Sequence, residues 1–173
     1  MVTMAITSLK KQIQESIAAK ECVLNDSDLL KNIIKATDVI TRALKRGNKL
    51  LIAGNGGSAS QALHMSGEFI NKFRKERKAL PSLALSSDIS NITSIGNDSG
   101  FDFIFSRQIE ALGKSRDVLI VLTTSDAHQK PHGHSANIYH ALTAAKKKNI
   151  TTIGMINQKT KRLITLLDFP LIA

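Results

Sequence analysis

"LLIAGNGGSASQALHMSGEFINKF", residues 50–73, is the stretch on which the reading of this chain turns. A short apolar run meets a knot of glycines, Gly54, Gly56 and Gly57, and the residues after it are apolar at three and four spacing. That change of period predicts a strand turning directly into a helix. Bare backbone at such a junction lets N–H groups and the positive end of the helix approach an anionic or strongly polar ligand. No Gly-Lys-Ser/Thr follows, which excludes a P-loop. Gly54, Gly56 and Ala59 fit a loose dinucleotide fingerprint, yet the next apolar run ends in Ser86 and Ser87. An acidic residue is needed there to hold a ribose, so a nicotinamide cofactor is disfavoured.

Further along the same helix, His64 and Glu68 stand four residues apart. At that spacing they are neighbours on one face, with Cβ atoms about 6 Å apart. With Gln61 and Lys72 they form a polar stripe, while Leu63, Phe69, Ile70 and Phe73 face elsewhere. An exposed ion pair is one reading. An imidazole and a carboxylate holding a divalent metal, zinc first, is another. A carboxylate beside a sugar also serves as a general base.

Outward from this stretch the pattern is regular. Residues 4–23 and 27–46 read as amphipathic helices, with "NDSD" supplying N-cap chemistry for the second. From Lys49 on, the short apolar runs "KLLIAG", "SLALSS", "DVLIVLTT", "ITTIGMI" and "LDFPLIA" alternate with helical patterns near 58–74, 88–95, 101–112, 135–148 and 159–166. Strands apolar at almost every position are covered on both faces, as in a parallel sheet. The expectation is a single domain over 1–173: a helical segment 1–47, then an α/β core 48–173 with a doubly wound sheet of about five parallel strands.

Ligands collect at the carboxyl ends of such strands. Those ends read "GNGGS", "SSD", "TTSD" and "MINQ", a lining of glycines, amides and hydroxyls suited to a phosphate- or hydroxyl-bearing small molecule. Thr123, Thr124 and Ser125 lie at the third end, and Ser135 stands near the start of the next helix, where a phosphate could be cradled. Asn97 and Asp98 are expected in a turn before a helix containing Phe105. His128, His132 and His134 share a Pro/Gly loop with no cysteine or carboxylate pair nearby, which argues for exposure over metal binding.

Composition excludes several classes. Apolar residues make up 42% and charged residues 22%, ordinary for a globular protein. No apolar run reaches the roughly 18–20 residues of a membrane span, and the start lacks the layout of a signal peptide. With a single cysteine, Cys22, no internal disulfide forms, and a cytoplasmic protein is expected. The net charge of +10 comes from dispersed basic residues, with aromatics at 4% and no nucleic-acid recognition motif. Solvated helix faces and loops account for it better than nucleic acid does, and a phosphorylated metabolite also suits a basic protein.

"AGNGGSASQALHMSGEF", "SIGNDSGFDFIFSRQIEALG" with "DVLIVLTTS", and "HSANIYHAL" resemble the phosphoheptose isomerases, proteins of the sugar-isomerase (SIS) fold, over about residues 8–155. The resemblance implies conversion of sedoheptulose 7-phosphate to D-glycero-D-manno-heptose 7-phosphate, the first step toward ADP-heptose for lipopolysaccharide. It implies homotetramers with sites between subunits, often holding zinc. Residue by residue, it implies substrate contacts for Asn55, Gly56, Gly57, Asn97 and Asp98, and phosphate contacts for Thr123, Thr124, Ser125 and Ser135. His64 and Glu68 become zinc ligands, and Glu68 also the base that moves a proton between C1 and C2 through an enediol.

Three departures accompany the likeness. "TTS" and "GHSAN" are separated by "DAHQKPH" (Asp126 to His132), where the family has a short turn. "INQKTK" replaces a glycine-rich segment after the fourth strand. The family continues into a C-terminal helix supplying a Gln and a His, and no match for these is found in the present sequence. They motivate a second reading, a non-catalytic SIS protein that regulates replication by binding the initiator DnaA.

Overall fold

The computed structural model describes residues 2–126, 133, 135–158, 160 and 162–172. Helix α1 (Val2–Asn25) and helix α2 (Ser27–Lys45) lead the chain, and the Asp26 carboxylate caps α2 by accepting from the N–H groups of Asp28 and Leu29 at 3.1 and 2.9 Å. Five strands follow: β1 (Leu50–Gly54), β2 (Ser82–Ala84), β3 (Val118–Thr123), β4 (Thr151–Ile156) and β5 (Phe169–Ile172). Helices α3 (Gly57–Ile70), α4 (Ile89–Asp98), α5 (Ser106–Leu112) and α6 (Ala136–Lys147) lie between them. All five strands are parallel, in the order β2-β1-β3-β4-β5. The doubly wound α/β expectation is borne out.

Side chains alternate across a strand, so β1 and β3 feed two cores. Leu51, Ala53, Leu119 and Val121 pack with Phe105, Ile109, Ile138 and Leu142 on one face. Leu50, Ile52, Val118 and Ile120 pack with Ala36, Ala43 and Ala62 of α2 and α3 on the other. Every residue of β1 and β3 is buried, which is why both read as unbroken apolar runs. The chain starts mid-sheet at β1, adds β2 on one side and crosses to β3 on the other. The carboxyl ends of β1 and β3 are therefore the switch point where such sheets bind ligands.

Two expectations change. Residues 101–112 do not form one helix: Gly100, at φ +99°, leads into a 3-10 turn over Phe101–Phe103, and α5 starts only at Ser106. The tighter turn brings Ile104 and Phe105 side by side into the core, 2% and 1% exposed. Among the described residues of the helical pattern at 159–166, Ile164–Leu166 form a 3-10 turn. Several basic residues sit in the last turns of α2 (Arg42, Lys45) and α6 (Lys146, Lys147), where they face the negative helix ends. No helix among the described residues is long and apolar enough to cross a membrane.

At the opposite end of the sheet from the switch point, Asp117 ties β3 to β1. Its carboxylate pairs with Lys49 Nζ and accepts from the N–H groups of Lys49 and Lys114 (3.0 and 2.8 Å) and from Asn48 Nδ2 (3.2 Å). Burial pushes this carboxyl up, but the Lys49, Lys114 and Asn48 donors outweigh it and hold it below the ordinary aspartate value. A depressed carboxylate adds stability above its unfolded value and loses it as pH falls through the folded one. The gap between wild type and Asp117→Ala in urea unfolding is expected to be about 3 kcal/mol at pH 7. It should narrow from about pH 4 downward, and a gap that stays constant in acid would contradict this role.

Candidate functional site

The junction of β1 and α3 is built on close approach. A Cβ at position 54 would lie 2.7 Å from both the Cβ and the carbonyl oxygen of Ser58, so only glycine passes there. Gly56, at φ +53°, occupies the left-handed side of backbone space as the cap of α3. The Asn55 carbonyl accepts from the Ser58 N–H at 2.9 Å, which starts the helix. Gly57 differs from Gly54 in that a Cβ there would meet nothing within 4 Å, and from Gly56 in that its φ is not positive. The fold itself needs glycine at 54 and 56, and it leaves open space at 57.

Beside this junction lies a cleft of about 420 Å³, lined by Asn55, Ser58, Phe101, Leu122, Thr123, Thr124, Ser125, Gly133 and Ser135. Ser58 is the second residue of α3 and Ser135 the N-cap of α6, so two helix N-termini flank it. Two positive helix ends and several hydroxyls make a cradle for an anion such as a phosphate. The Thr123 hydroxyl is held by the turn that follows, donating to the Ser125 carbonyl and accepting from the Ser125 N–H, both at 3.1 Å. Ser135 adopts a left-handed conformation (φ 55°, ψ 26°), uncommon for a residue with a side chain.

A second concavity of about 570 Å³ runs between α2, α3 and the strand ends, shares Ser58, Leu122, Thr123 and Thr124 with the cleft, and is mostly apolar. Gln61 lines it, and so does Met65. His64 and Glu68 lie outside both linings: Nε2 of His64 is 3.5 Å from Oε1 of Glu68, with the two side chains 79% and 33% exposed. Glu68 is seven residues beyond Gln61, nearly two full turns, so it stands on the same face of α3 as Gln61. The Arg77 guanidinium closes the last turn of α3, donating to the carbonyls of Glu68 (2.6 Å) and Phe69 (2.8 Å). Lys72 lies past the end of α3 and pairs with Glu76, so the polar stripe stops at Glu68.

Some expected residues are brought together and some are not. Asn55, Thr123, Thr124, Ser125 and Ser135 converge on the cleft. Gly56 lines a smaller pocket of about 190 Å³ on the other side of Asn55. Asn97 and Asp98 are the last two residues of α4, not a turn; they are exposed and bonded to each other at 2.8 Å. Helical periodicity through Ile92 and Ile95 carries α4 past the point where turn-forming residues suggested a stop. His128, His132 and His134, and most of the segment Asp126 to His132, lie outside the described residues. Ser58 and Phe101 join the cleft unannounced: Ser58 closes the glycine motif, whereas nothing local to Phe101 signals a site.

As to metal, the donor types of His64 and Glu68 suit a divalent ion, yet catalytic zinc takes three protein ligands. Among the described residues there is no group of three or more His, Cys, Asp or Glu that could hold one. Among the described residues His64 and Glu68 are thus two donors, one short of such a set.

Comparison with known proteins follows the same lines. The SIS domain family matches residues 11–157. The phosphoheptose isomerase of Clostridium acetobutylicum is 44% identical over 164 residues, covering 95% of this chain and 80% of that protein. That of Aneurinibacillus thermoaerophilus is 41% identical over 161 residues, covering 93% and 78%. Among solved structures, a phosphoheptose isomerase from Francisella tularensis superposes with a TM-score of 0.88 at 32% identity, covering 97% of this chain and 85% of the other. One from Neisseria gonorrhoeae gives 0.84 at 31%, covering 96% and 84%.

The glycine accounting yields a paired expectation. Gly54→Ala should lower stability by about 1–3 kcal/mol through overpacking against Ser58. Gly57→Ala should fold within about 0.5 kcal/mol of wild type. Thermal unfolding of the two variants side by side checks it, and equal losses would refute the asymmetry.

Proposed function

The chain belongs to the phosphoheptose isomerases of the SIS domain family, and we propose that it is a cytoplasmic enzyme interconverting sedoheptulose 7-phosphate and D-glycero-D-manno-heptose 7-phosphate, on the way to ADP-heptose and lipopolysaccharide. One observation carries the reading: a hydroxyl-lined cleft lies between two helix N-termini, and one of those helices, α3, carries the His64–Glu68 couple on its outer turns. The helical rise sets His64 about 10 Å beyond Gly57 along α3. An extended seven-carbon phosphate, with C–C bonds of about 1.5 Å, is of the same order. Phosphate in the cleft therefore leaves C1 and C2 near the couple. The names carried by the relatives give no support to the replication-regulator reading.

In this reading Thr123, Thr124, Ser125 and Ser135 hold the phosphate, with Asn55, Gly56 and Gly57 along the sugar and Asn97 and Asp98 at its outer edge. The Glu68 carboxylate takes a proton from C1 of the ketose. The C1–H electron pair forms the C1–C2 double bond of an enediol as the C2 carbonyl oxygen gains a proton. Glu68 then returns its proton to C2 while the O1 hydroxyl loses its own, which leaves the aldehyde at C1. His64 lies within reach of Glu68 and orients it. Zinc is the proposed occupant of this couple, with further donors from substrate oxygens or a neighbouring subunit; when bound, it would polarise the sugar carbonyl.

Purified protein is expected to turn over sedoheptulose 7-phosphate, and Glu68→Gln should lower kcat by at least ~100-fold, the scale of general acid–base catalysis. Metal analysis should find zinc that His64→Ala loses. No turnover by the wild type would reject the substrate, and turnover indifferent to Glu68→Gln would reject the base.

A homotetramer with sites between subunits is part of the same proposal. Ile6, Leu9, Ile13 and Ile17 form an apolar stripe on α1 that is about half exposed, from 49% to 57%. Leu63, Ile70 and Phe73 are exposed on and just beyond α3, the helix of the couple. A stripe of this kind calls for a partner. Light scattering should give four chains for the wild type and fewer for Ile13→Asp combined with Ile17→Asp; a monomeric wild type would overturn the assembly.

A further inference from the structure

Asn137, the second residue of α6, is 1% exposed and has taken no part in the cradle. Its carboxamide closes a ring with that of Asn55: Asn137 Nδ2 donates to Asn55 Oδ1 at 2.9 Å, and Asn55 Nδ2 donates to Asn137 Oδ1 at 2.9 Å. The Asn55 backbone carbonyl meanwhile accepts from the Ser58 N–H. Asn55 is thus tied to the first turn of α3 by its main chain and to the first turn of α6 by its side chain. These are the two helix ends that flank the hydroxyl cleft, and Asn55 itself lines it.

We infer that Asn137 is a positioning residue of the isomerase, fixing the Asn55 carboxamide and with it the gap between the two helix N-termini that receive the phosphate. The inference rests on the assignment of that cleft to the phosphate end of the sugar. The chemistry is specific to an amide at both positions. A carboxamide presents one donor and one acceptor along a single edge, and two such edges satisfy each other completely. Rotating one amide by half a turn opposes donor to donor and acceptor to acceptor, so the ring selects one orientation of Asn55 relative to its partner. An apolar side chain at 137 would strand both groups of Asn55, and a carboxylate would keep one bond and set two acceptors against each other.

The test is a double-mutant cycle on the full chain, with kcat and KM for sedoheptulose 7-phosphate measured well below each variant's melting temperature. Asn137→Ala is expected to raise KM about tenfold with kcat changed less than about threefold, since a phosphate grip acts on ground and transition states alike. Because Asn137 acts through Asn55, the Asn55→Ala, Asn137→Ala double variant should be no worse than Asn55→Ala alone. An unchanged KM in Asn137→Ala, or additive losses in the double variant, would overturn the proposal. Should Asn137→Ala fail to fold, the isosteric Asn137→Asp enters the same cycle with the same criteria. If the wild type turns over no sugar, the proposed function fails, and wild type and Asn137→Ala are compared instead in affinity for inorganic phosphate, read from the carboxamide NMR signals of Asn55. A tenfold weakening by Asn137→Ala then supports the positioning role, and equal affinity rejects it.

Discussion

Strand β1 can run straight into α3 only because position 54 has no Cβ. With the Ser58 carbonyl 2.7 Å from where that atom would sit, any side chain would force the helix away from the strand. Everything at the switch point depends on this contact. It brings the positive end of α3 against the sheet, holds the Asn55 carbonyl over the Ser58 N–H, and aims the Asn55 side chain across β3 toward α6. It also fixes the direction of the α3 axis, and hence where His64 and Glu68 stand two to three turns later.

The two ends of the sheet have different tasks. At the amino ends of the strands, the buried Asp117 carboxylate gathers the half-buried Asn48 and Lys49 and the backbone N–H of Lys114 in a charged knot that sets β1 beside β3. At the carboxyl ends, the described residues that line the cleft offer hydroxyls, an amide, backbone and the apolar Phe101 and Leu122, with no charged side chain among them. A cradle that receives a charged phosphate is better served by neutral donors and helix dipoles than by a fixed cation, which would already be paired. The separation of the charged knot from the neutral cradle by the length of the strands keeps the structural charges out of the site.

Within one chain the cradle and the apolar trough are joined through the shared wall of Ser58, Leu122, Thr123 and Thr124, while the His64–Glu68 couple stands outside both. The trough is apolar and the outer face of α3 carries exposed Leu63 and Ile70. Exposed apolar surface of this kind is the physical ground on which the proposed assembly rests. Asn97 and Asp98 stand exposed at the end of α4 and line none of the three concavities described above.

The order of strands and helices, the β1–α3 junction and the hydroxyl character of the strand ends were all legible from the residues. Each is written in neighbours a few positions apart: an all-apolar run for a doubly covered strand, apolar residues at three and four spacing for a helix, and glycine where backbone must come close. The break at Phe101–Phe103 and the extension of α4 through Asp98 were not, because helix ends are set by which side chains the core accepts. Tertiary structure alone decided which strand ends adjoin and what meets there. β3 lies next to β1 because the chain, after forming β2, doubles back past β1, and the Asn55–Asn137 ring joins residues 82 positions apart. No local pattern encodes a hydrogen bond whose partners are brought together only by the winding of the sheet.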